Sequence, residues 1–353
     1  MKHFCGTNFK AGIFISLLIL SITTILKAQP KKGIEIIASE KDKKVDILFD
    51  GKLFTSYIYP DDLEKPVLFP IYTSEGTLIT RGFPRNPRPG ERVDHPHHIG
   101  LWFNFGDVNG LDFWNNSYAI TADKKNMYGS IRHQAVLEAK SGKEKGILKV
   151  KTNWVDSKET ILLVEVSTFV FTGDATLRRI DRTTTLTAES AKVTFKDNKE
   201  GMMAIRVDRA FEEPSDKAEK LTDANGNPTT VAALNNEGVN GVYRNSKGIE
   251  KGAVWGTQAD WLKLSATKGS EPITIAMIDN KKNIGYPAHW HARGYGLFSV
   301  NNLGAKVYNP KEKEFVYSLA PGKSITFHHR ILVKSGSFLS DEAMNKEFTE
   351  FNK

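Results

Sequence analysis

Two histidine-rich segments contain the side chains of this sequence that are best suited to chemistry. Residues 94–98 read Asp-His-Pro-His-His and stand just before a run of aromatic residues, and residues 289–296 contain two histidines, a tryptophan and an arginine. Imidazole transfers protons near neutral pH and binds metal ions. Because the segments lie far apart along the chain, we expect the fold to bring them together in one site.

Four residues are candidates for proton transfer, namely His98, His291, Glu200 and His133. The first two belong to the segments above. Glu200 follows Lys199 at the start of an apolar strand, where a carboxylate could act as a general base, although the same pair of charges is typical of a solvated turn. His133 could be a further proton carrier, and a core or surface position explains it equally well.

A second set of residues is suited to binding a polar, ring-shaped ligand. An arginine within an apolar strand, such as Arg206, needs a carboxylate or an anionic ligand. Tryptophan and tyrosine stack on sugar rings, but they also build hydrophobic cores. The candidate substrate-binding residues are Arg92, His95, His97, Trp102, Trp114, Arg206, His289, Trp290, Arg293 and Tyr295.

The histidine spacing also permits a metal site. In an extended segment, residues two apart project to the same side, so His95 pairs with His97 and His289 with His291. The four rings could bind one divalent metal ion, or three of them could do so with a carboxylate. The alternative is that these histidines only form hydrogen bonds, because the sequence does not define a third ligand. No other cofactor is indicated.

Several classes of function are disfavoured. No glycine-rich phosphate loop follows a strand and opens a helix, and no Gly-x-Ser-x-Gly motif occurs, which argues against nucleotide cofactors and serine hydrolase chemistry. The formal charge of +8 falls to +5 without Lys2, Lys10 and Lys27. The remaining lysines are scattered among acidic residues, so the composition does not indicate a nucleic-acid partner. The oligomeric state is left open.

The N-terminal residues 1–28 resemble a secretory signal peptide. Two lysines precede a short apolar run from Ile13 to Ile22, and Ala28 ends the segment. The alternative is an uncleaved anchor, but the run is shorter than a membrane span. We therefore expect an exported protein, periplasmic or secreted, with no membrane span in its mature part. Cys5 is the only cysteine, so the mature chain would lack disulfides and thiolate metal sites.

Most of the remaining sequence alternates with a period of two. Residues 45–49 and 53–59 flank Asp50-Gly51, which predicts a β-hairpin. Further strands are expected at 146–155, 161–171, 178–187, 272–278, 296–300, 306–308 and 324–333, and that at 161–171 is apolar enough to be covered on both faces. Ser340 to Phe351 has the cap and spacing of a helix.

These elements predict an all-β fold, a large antiparallel two-sheet sandwich with a short C-terminal helix. Residues 29–353 would form a single domain, with two smaller sandwiches as the alternative. The polar stretch 216–252 is rich in Gly and Asn. It is interpreted as a long loop, either a lid over a site or a surface insertion.

The segments 94–114, 197–207, 286–304 and 319–330 resemble a family of unknown function whose members are often labelled "methane oxygenase PmoA". The label conflicts with the sequence, because the genuine subunits are integral membrane proteins. Members of the family are commonly exported and encoded beside sugar oxidoreductases and isomerase-like enzymes. The resemblance therefore implies a role in carbohydrate metabolism.

The closing segment 319–330 is also similar to the final strand of galactose-mutarotase-like supersandwich domains. That resemblance implies a large antiparallel fold of two sheets. Mutarotases open and close a sugar ring with a histidine acid and a glutamate base, and His98 and Glu200 are candidates for such roles. Fold similarity by itself does not establish function.

The leading hypothesis is an exported carbohydrate-active protein that performs acid–base chemistry on a sugar or oxidised sugar. Epimerisation, lyase-type elimination and hydrolysis are all compatible with the residues. The first alternative is a non-catalytic glycan-binding protein that uses the aromatic residues. The second is a metal-dependent enzyme with histidine ligands.

Overall fold

Antiparallel strands account for most of the ordered backbone. The computed structural model describes residues 1–4, 6 and 32–353, so Cys5 and most of the predicted signal peptide of residues 1–28 lie outside the described residues. The first ten strands are β1 (Ile34–Ser39), β2 (Lys44–Phe49), β3 (Lys52–Ile58), β4 (Val67–Ile71), β5 (Leu101–Phe105), β6 (Ser130–Lys140), β7 (Lys145–Val155), β8 (Ile161–Gly173), β9 (Leu177–Ala188) and β10 (Val193–Lys196).

Ten more strands and a helix complete the element order. Short 3-10 helices occur at Ala122–Met127, Arg209–Phe211 and Lys251–Val254. The remaining elements are β11 (Gly201–Arg206), β12 (Glu219–Thr222), β13 (Pro228–Val231), β14 (Val242–Asn245), β15 (Trp261–Lys268), β16 (Glu271–Asp279), β17 (His289–Arg293), β18 (Leu297–Asn301), β19 (Val316–Leu319), β20 (Ser324–Ser335) and α1 (Asp341–Phe351).

The strands form two large antiparallel sheets of eight strands each. The first sheet has the order β1-β2-β3-β4-β5-β11-β18-β17, and the second has the order β14-β15-β16-β20-β9-β8-β7-β6. Two small sheets, β10-β19 and β12-β13, accompany them. Residues 31–353 form one compact unit. The predicted all-β class with two antiparallel sheets and a C-terminal helix is confirmed.

The hydrophobic core lies between the two large sheets. Phe103 of the first sheet contacts Phe327 and Trp154 of the second, with ring centroids 5.9 and 6.4 Å apart. All three are almost completely buried. Burying such a side chain contributes about 1.5–3 kcal/mol, so the aromatic residues contribute strongly to holding the sheets together.

The turn between β2 and β3 has the geometry that its sequence predicts. Asp50 and Gly51 have φ values of 49° and 76°. A two-residue hairpin of type I′ requires positive φ at both positions, which Asp and Gly tolerate. The hairpin prediction is therefore confirmed.

Three local predictions are wrong. Strand β8 is not covered on both faces, because only its inner residues, such as Phe169, face the other sheet, while Val166 and Val170 are half-buried. Residues 306–308 form a turn instead of a strand. The stretch 216–252 is not one irregular loop, since it contains β12, β13, β14 and the start of a 3-10 helix.

Helix α1 packs on the outer face of the second sheet. The Ser340 side chain accepts a hydrogen bond from the Ala343 backbone N–H at 3.2 Å, which caps the helix as its sequence predicts. Met344 is fully buried in a cluster with Trp261 and Leu332. No helix within the described residues is long and apolar enough to cross a membrane.

Candidate active site

The outer face of the first sheet carries the residues of the candidate site. Alternation along β5, β11 and β17 sends Phe103 and Ile205 into the core and leaves Trp102, Arg206 and His291 on the opposite face. This face holds a separate small apolar cluster around Trp102.

One row of cross-strand partners connects the two halves of the site. Trp102 pairs with Ala204, Ala204 with Ser299, and Ser299 with His291. The two residues in the middle are small, which leaves room above them for a large side chain. Trp114 lies there, with its ring centroid 5.3 Å from that of Trp102 and 6.2 Å from that of His291.

Trp114 also contacts the first histidine segment. Its ring lies 5.7 Å from that of His98, which in turn stacks on Trp102 at 5.2 Å. The fold thus brings His98 and His291 to two sides of one tryptophan. Both histidines are buried, with 1% and 2% of their surface exposed.

The segment 94–98 is a turn, which corrects the extended conformation expected from its sequence. His95 has a left-handed φ of 44°, and the His98 N–H donates to the His95 carbonyl at 2.9 Å. Pro96 occupies a position that its fixed φ favours in such turns. The turn pairs His95 with His98, whose rings stack at 4.8 Å, so His95 and His97 do not project in parallel.

Two buried arginines bind Asp94 beneath this turn. Arg206 Nη2 and Arg81 Nη1 donate to Asp94 Oδ1 at 2.7 and 2.5 Å. Burial alone would raise the pKa of Asp94, but the Arg206 charge, the hydrogen bond from His95 and the Arg81 charge outweigh it and hold the pKa well below its usual range. Arg206 also lies 4.6 Å above the ring of Tyr295, which stacks on His95.

Arg206 selects the tautomer of His98. Its Nη1 lies 3.2 Å from His98 Nδ1, and because a guanidinium only donates, Nδ1 must accept. The ring proton of neutral His98 is then on Nε2, which is buried and has no hydrogen-bond partner among the described residues. Burial, followed by the charges of His97 and Arg206, lowers the pKa of His98 well below 6.5, so the ring is neutral at physiological pH.

Glu200 and His291 form the other half of the site. Glu200 Oε2 lies 3.4 Å from His291 Nδ1, and its other oxygen pairs with Lys199. Arg293 Nε donates to His291 Nε2 at 3.3 Å, so the proton of neutral His291 lies on Nδ1, toward Glu200. Burial, followed by the charges of Arg293 and Lys199, lowers the pKa of His291 to about 3.

Three candidate residues lie elsewhere or face away. His133 lies on β6 of the second sheet, where it stacks on Tyr59 at 3.8 Å, and burial lowers its pKa to about 4. Arg92 is engaged by Glu212 and Glu219, two buried or half-buried carboxylates. Trp290 is fully buried in the core between the sheets, because it alternates with the histidines on either side of it.

The four histidines that the sequence allows as metal ligands, His95, His97, His289 and His291, do not form one group in the structure. His289 stacks on Tyr308 at 4.9 Å and lies 3.8 Å from Glu312, apart from the rings of the turn. Among residues 1–4, 6 and 32–353, no group of three or more His, Cys, Asp or Glu side chains is arranged to hold a metal ion. The prediction assumed two extended segments, and the turn at His95 removes that geometry.

Comparison with known proteins identifies the family. Residues 44–349 match the model described as "Family of unknown function (DUF6807)". The chain belongs to this family. No curated protein matches it.

Solved structures with some similarity to this DUF6807 protein share little sequence with it. A GH36 alpha-galactosidase from Geobacillus stearothermophilus has a TM-score of 0.42 and 11% identity, over 85% of this chain and 40% of its own. A galactose mutarotase-like protein from Clostridium acetobutylicum has a TM-score of 0.37 and 11% identity, over 85% of this chain and 98% of its own. A heparan sulfate lyase HepC mutant from Pedobacter heparinus has a TM-score of 0.34 and 10% identity, over 87% of this chain and 36% of its own.

The DUF6807 chain therefore spans about two fifths of the length of the alpha-galactosidase.

Sequence reasoning missed two residues of the site in the DUF6807 protein. Arg81 donates hydrogen bonds to the backbone carbonyls of Asp94, His95 and His98 and so holds the turn in place. Lys65 Nζ donates to the His97 carbonyl at 2.9 Å and lies 5.5 Å from the ring of Trp102. Neither residue stands in a motif, and only their burial, at 1% and 5% exposure, distinguishes them from surface cations.

A cavity of about 170 Å³ opens beside the turn, and we refer to it as the Lys65 cavity. Among the candidate histidines, His97 lines it, while His95 is the exposed one. The cavity is lined by Asp62, Leu63, Glu64, Lys65, Val67, Pro84, Arg85, Pro96, His97, Ile99, Asn116, Ser117 and Tyr118.

Proposed function

We propose that this protein performs acid–base chemistry on a sugar at the site formed by residues 94–98, Glu200, His291, Arg293 and Tyr295. The observation that carries the proposal is the meeting of His98 and His291 at Trp114, with the buried Nε2 of His98 left without a hydrogen-bond partner among the described residues. Buried polar atoms are normally hydrogen-bonded, so such a nitrogen suits a hydroxyl group of a ligand. The half-buried ring of Tyr295 suits the apolar face of a sugar ring.

His98 acts as a neutral hydrogen-bond donor in this proposal. Because Arg206 holds the proton on Nε2, the ring presents a fixed N–H to an oxygen of the substrate. A preorganised donor of this kind stabilises negative charge that develops on a sugar oxygen during proton abstraction. The role differs from that of an imidazolium acid, which the lowered pKa of His98 disfavours.

Glu200 acts as the base. Its side chain is mostly but not fully buried, with 13% exposed, so a ligand can reach it. His291 Nδ1 lies 3.4 Å from one carboxylate oxygen, and Arg293 keeps the His291 proton on the side of the ring that faces Glu200. General base catalysis by a positioned carboxylate contributes about 10²–10⁴-fold to a rate.

Trp102 and Trp114 lie side by side on the sheet and are fully buried, so they support the site from beneath. Tyr295, which is half-buried and stacks on His95, is the aromatic ring left to contact a sugar. The signal-like leader of residues 1–28 supports export of the protein as part of the same proposal.

The test is a turnover screen of purified protein against neutral, acidic and oxidised mono- and oligosaccharides. Glu200→Gln removes the base without changing the shape of the side chain. His98→Phe keeps a flat ring against His95 and Trp102 but removes the Nε2 donor. We expect each variant to lower turnover by about 10²–10³-fold.

The matched controls are His328→Gln and Glu138→Gln, which lie on the second sheet and should retain full turnover. Circular dichroism and a thermal melt establish that the site variants are folded. Full turnover in both site variants contradicts the proposal. Saturable binding of a sugar without turnover, unchanged in Glu200→Gln, would instead identify a glycan-binding protein.

A further inference from the structure

Lys65 is a buried cation that has no carboxylate within ion-pair distance in the described part of the chain. It is 5% exposed, and its ammonium group donates to the backbone carbonyl of His97. A buried charge is costly unless an opposite charge compensates it. Burial lowers the pKa of Lys65 to about 7, against the weaker opposing effects of Asp112 and Glu64, which agrees with a poorly compensated ammonium.

The carboxylates around the Lys65 cavity are already engaged. Glu64 accepts hydrogen bonds from Lys125 and Ser130, and Asp62 pairs with Arg85 at the rim. The Lys65 charge is therefore left for a group that is not part of the described chain.

A second unpartnered group lines the same cavity. His97 is 7% exposed, and its Nε2 has no hydrogen-bond partner among the described residues. Burial, followed by the charge of Lys65, lowers the pKa of His97 well below 6.5, so the ring is neutral and does not add to the positive charge. The side chains of Lys65 and His97 thus line the cavity together, one with a buried charge that lacks a counter-ion and the other with a buried Nε2 that lacks a hydrogen-bond partner among the described residues.

We infer that the Lys65 cavity binds the carboxylate of an acidic monosaccharide, with Lys65 as its counter-ion and His97 Nε2 as a second hydrogen-bond partner. The inference rests on the proposed function and names the substrate class for it, a sugar acid. A carboxylate at this point lies beside the candidate active site, because Lys65 packs on Trp102 and Trp102 stacks on His98.

The size and the walls of the cavity fit a single sugar ring. Its volume of about 170 Å³ is close to that of cavities that hold one six-membered ring. Val67, Pro96 and Ile99 supply an apolar wall for the C–H face of the ring. The Ser117 hydroxyl accepts from the Ala119 N–H and can still donate to a hydroxyl of the ring.

Binding of matched acids and neutral sugars at pH 6 tests the inference. The probes are D-glucuronate, D-galacturonate and D-gluconate, compared with D-glucuronamide, D-glucose and D-galactose by isothermal titration calorimetry. Glucuronamide has the shape of glucuronate without its charge. We expect at least one acid to bind about 10-fold or more tighter than its neutral counterparts.

Lys65→Met tests the residue itself, because methionine preserves the apolar stem against Trp102 and removes the charge. We expect this variant to lose the preference for the acid, and we expect Lys158→Met, at an exposed turn, to retain it. If Lys65→Met does not fold, the inference is tested on the unmodified protein by whether glucuronate binds tighter than glucuronamide.

The inference is overturned if none of the three acids binds tighter than its neutral counterparts, or if folded Lys65→Met keeps the preference. Failure of the inference is distinguishable from failure of the proposed function. If a neutral sugar is turned over in a Glu200-dependent way and acids are not preferred, the proposed function stands and the inference that the substrate is a sugar acid fails.

Discussion

At the scale of residues, two arginines of the candidate site determine which ring nitrogen of each histidine carries the proton. Arg206 leaves His98 with a free Nε2–H, and Arg293 directs the proton of His291 toward Glu200. Neither histidine needs to change charge near neutral pH, because burial lowers both pKa values. The histidine cluster is thus better suited to donating fixed hydrogen bonds than to carrying protons itself.

Arg206→Met tests the buried ion pair. The substitution leaves Asp94 with Arg81 as its remaining buried cation and removes the hydrogen bond to His98. Breaking a buried pair from one side costs about 3–5 kcal/mol, so we expect a loss of that size in the free energy of unfolding, measured by urea denaturation. Arg85→Met is the control, because its partner Asp62 is exposed and such pairs contribute about 1 kcal/mol or less. Equal losses in the two variants would refute this account.

At the scale of elements, short-range signals control the ends and turns while packing controls the faces. Asp50 and Gly51 make the hairpin turn because both tolerate positive φ, and Ser340 begins the helix because its hydroxyl accepts a backbone N–H. The outer face of β8 shows the opposite case. The sequence predicts that its valines are buried, but they are half-buried because no second layer covers them.

Ser340→Ala tests the helix cap. Loss of a serine cap typically costs about 1 kcal/mol, so we expect the free energy of unfolding to fall by roughly this amount. Ser157→Ala, in an exposed turn, is the matched control and should change stability by less than about 0.5 kcal/mol. If the two variants unfold at the same urea concentration, the cap does not stabilise the packed helix.

At the scale of the whole molecule, buried neutral histidines link stability to pH. The pKa of His291 is about 3 in the folded protein and about 6.5 in an unfolded chain. The unfolded state therefore binds more protons between these values. The stability that His291 contributes is complete above pH 6.5 and is lost as the pH falls toward 3.

His291→Gln isolates this effect. Between pH 8 and pH 5, one such histidine accounts for a loss of about 2 kcal/mol, at about 1.4 kcal/mol per pH unit below 6.5. We expect the wild-type protein to lose about that much more stability over this interval than the variant does, by urea denaturation at both pH values. Burial also lowers the pKa of the half-buried His328, so His328→Gln should lose a smaller part of the pH dependence than His291→Gln does. A parallel pH dependence of wild type and His291→Gln would show that folding does not lower the pKa of His291.

The sequence by itself determined the class of the fold and predicted many residues of the candidate site. Period-two alternation, the Asp50-Gly51 turn and the Ser340 cap are local signals, and each depends on the conformation of a few neighbouring residues. The two histidine segments were recognisable because they concentrate ionisable groups.

Only the tertiary structure decided how those groups meet. The row from Trp102 through Ala204 and Ser299 to His291 depends on strands that are distant in sequence, and Trp114 reaches both histidines because that row has small residues at its centre. The burial of Lys65 and the separate positions of His133 and Trp290 also follow from packing. Contacts of this kind depend on which strands pair and in which register, and no pattern within one segment specifies either.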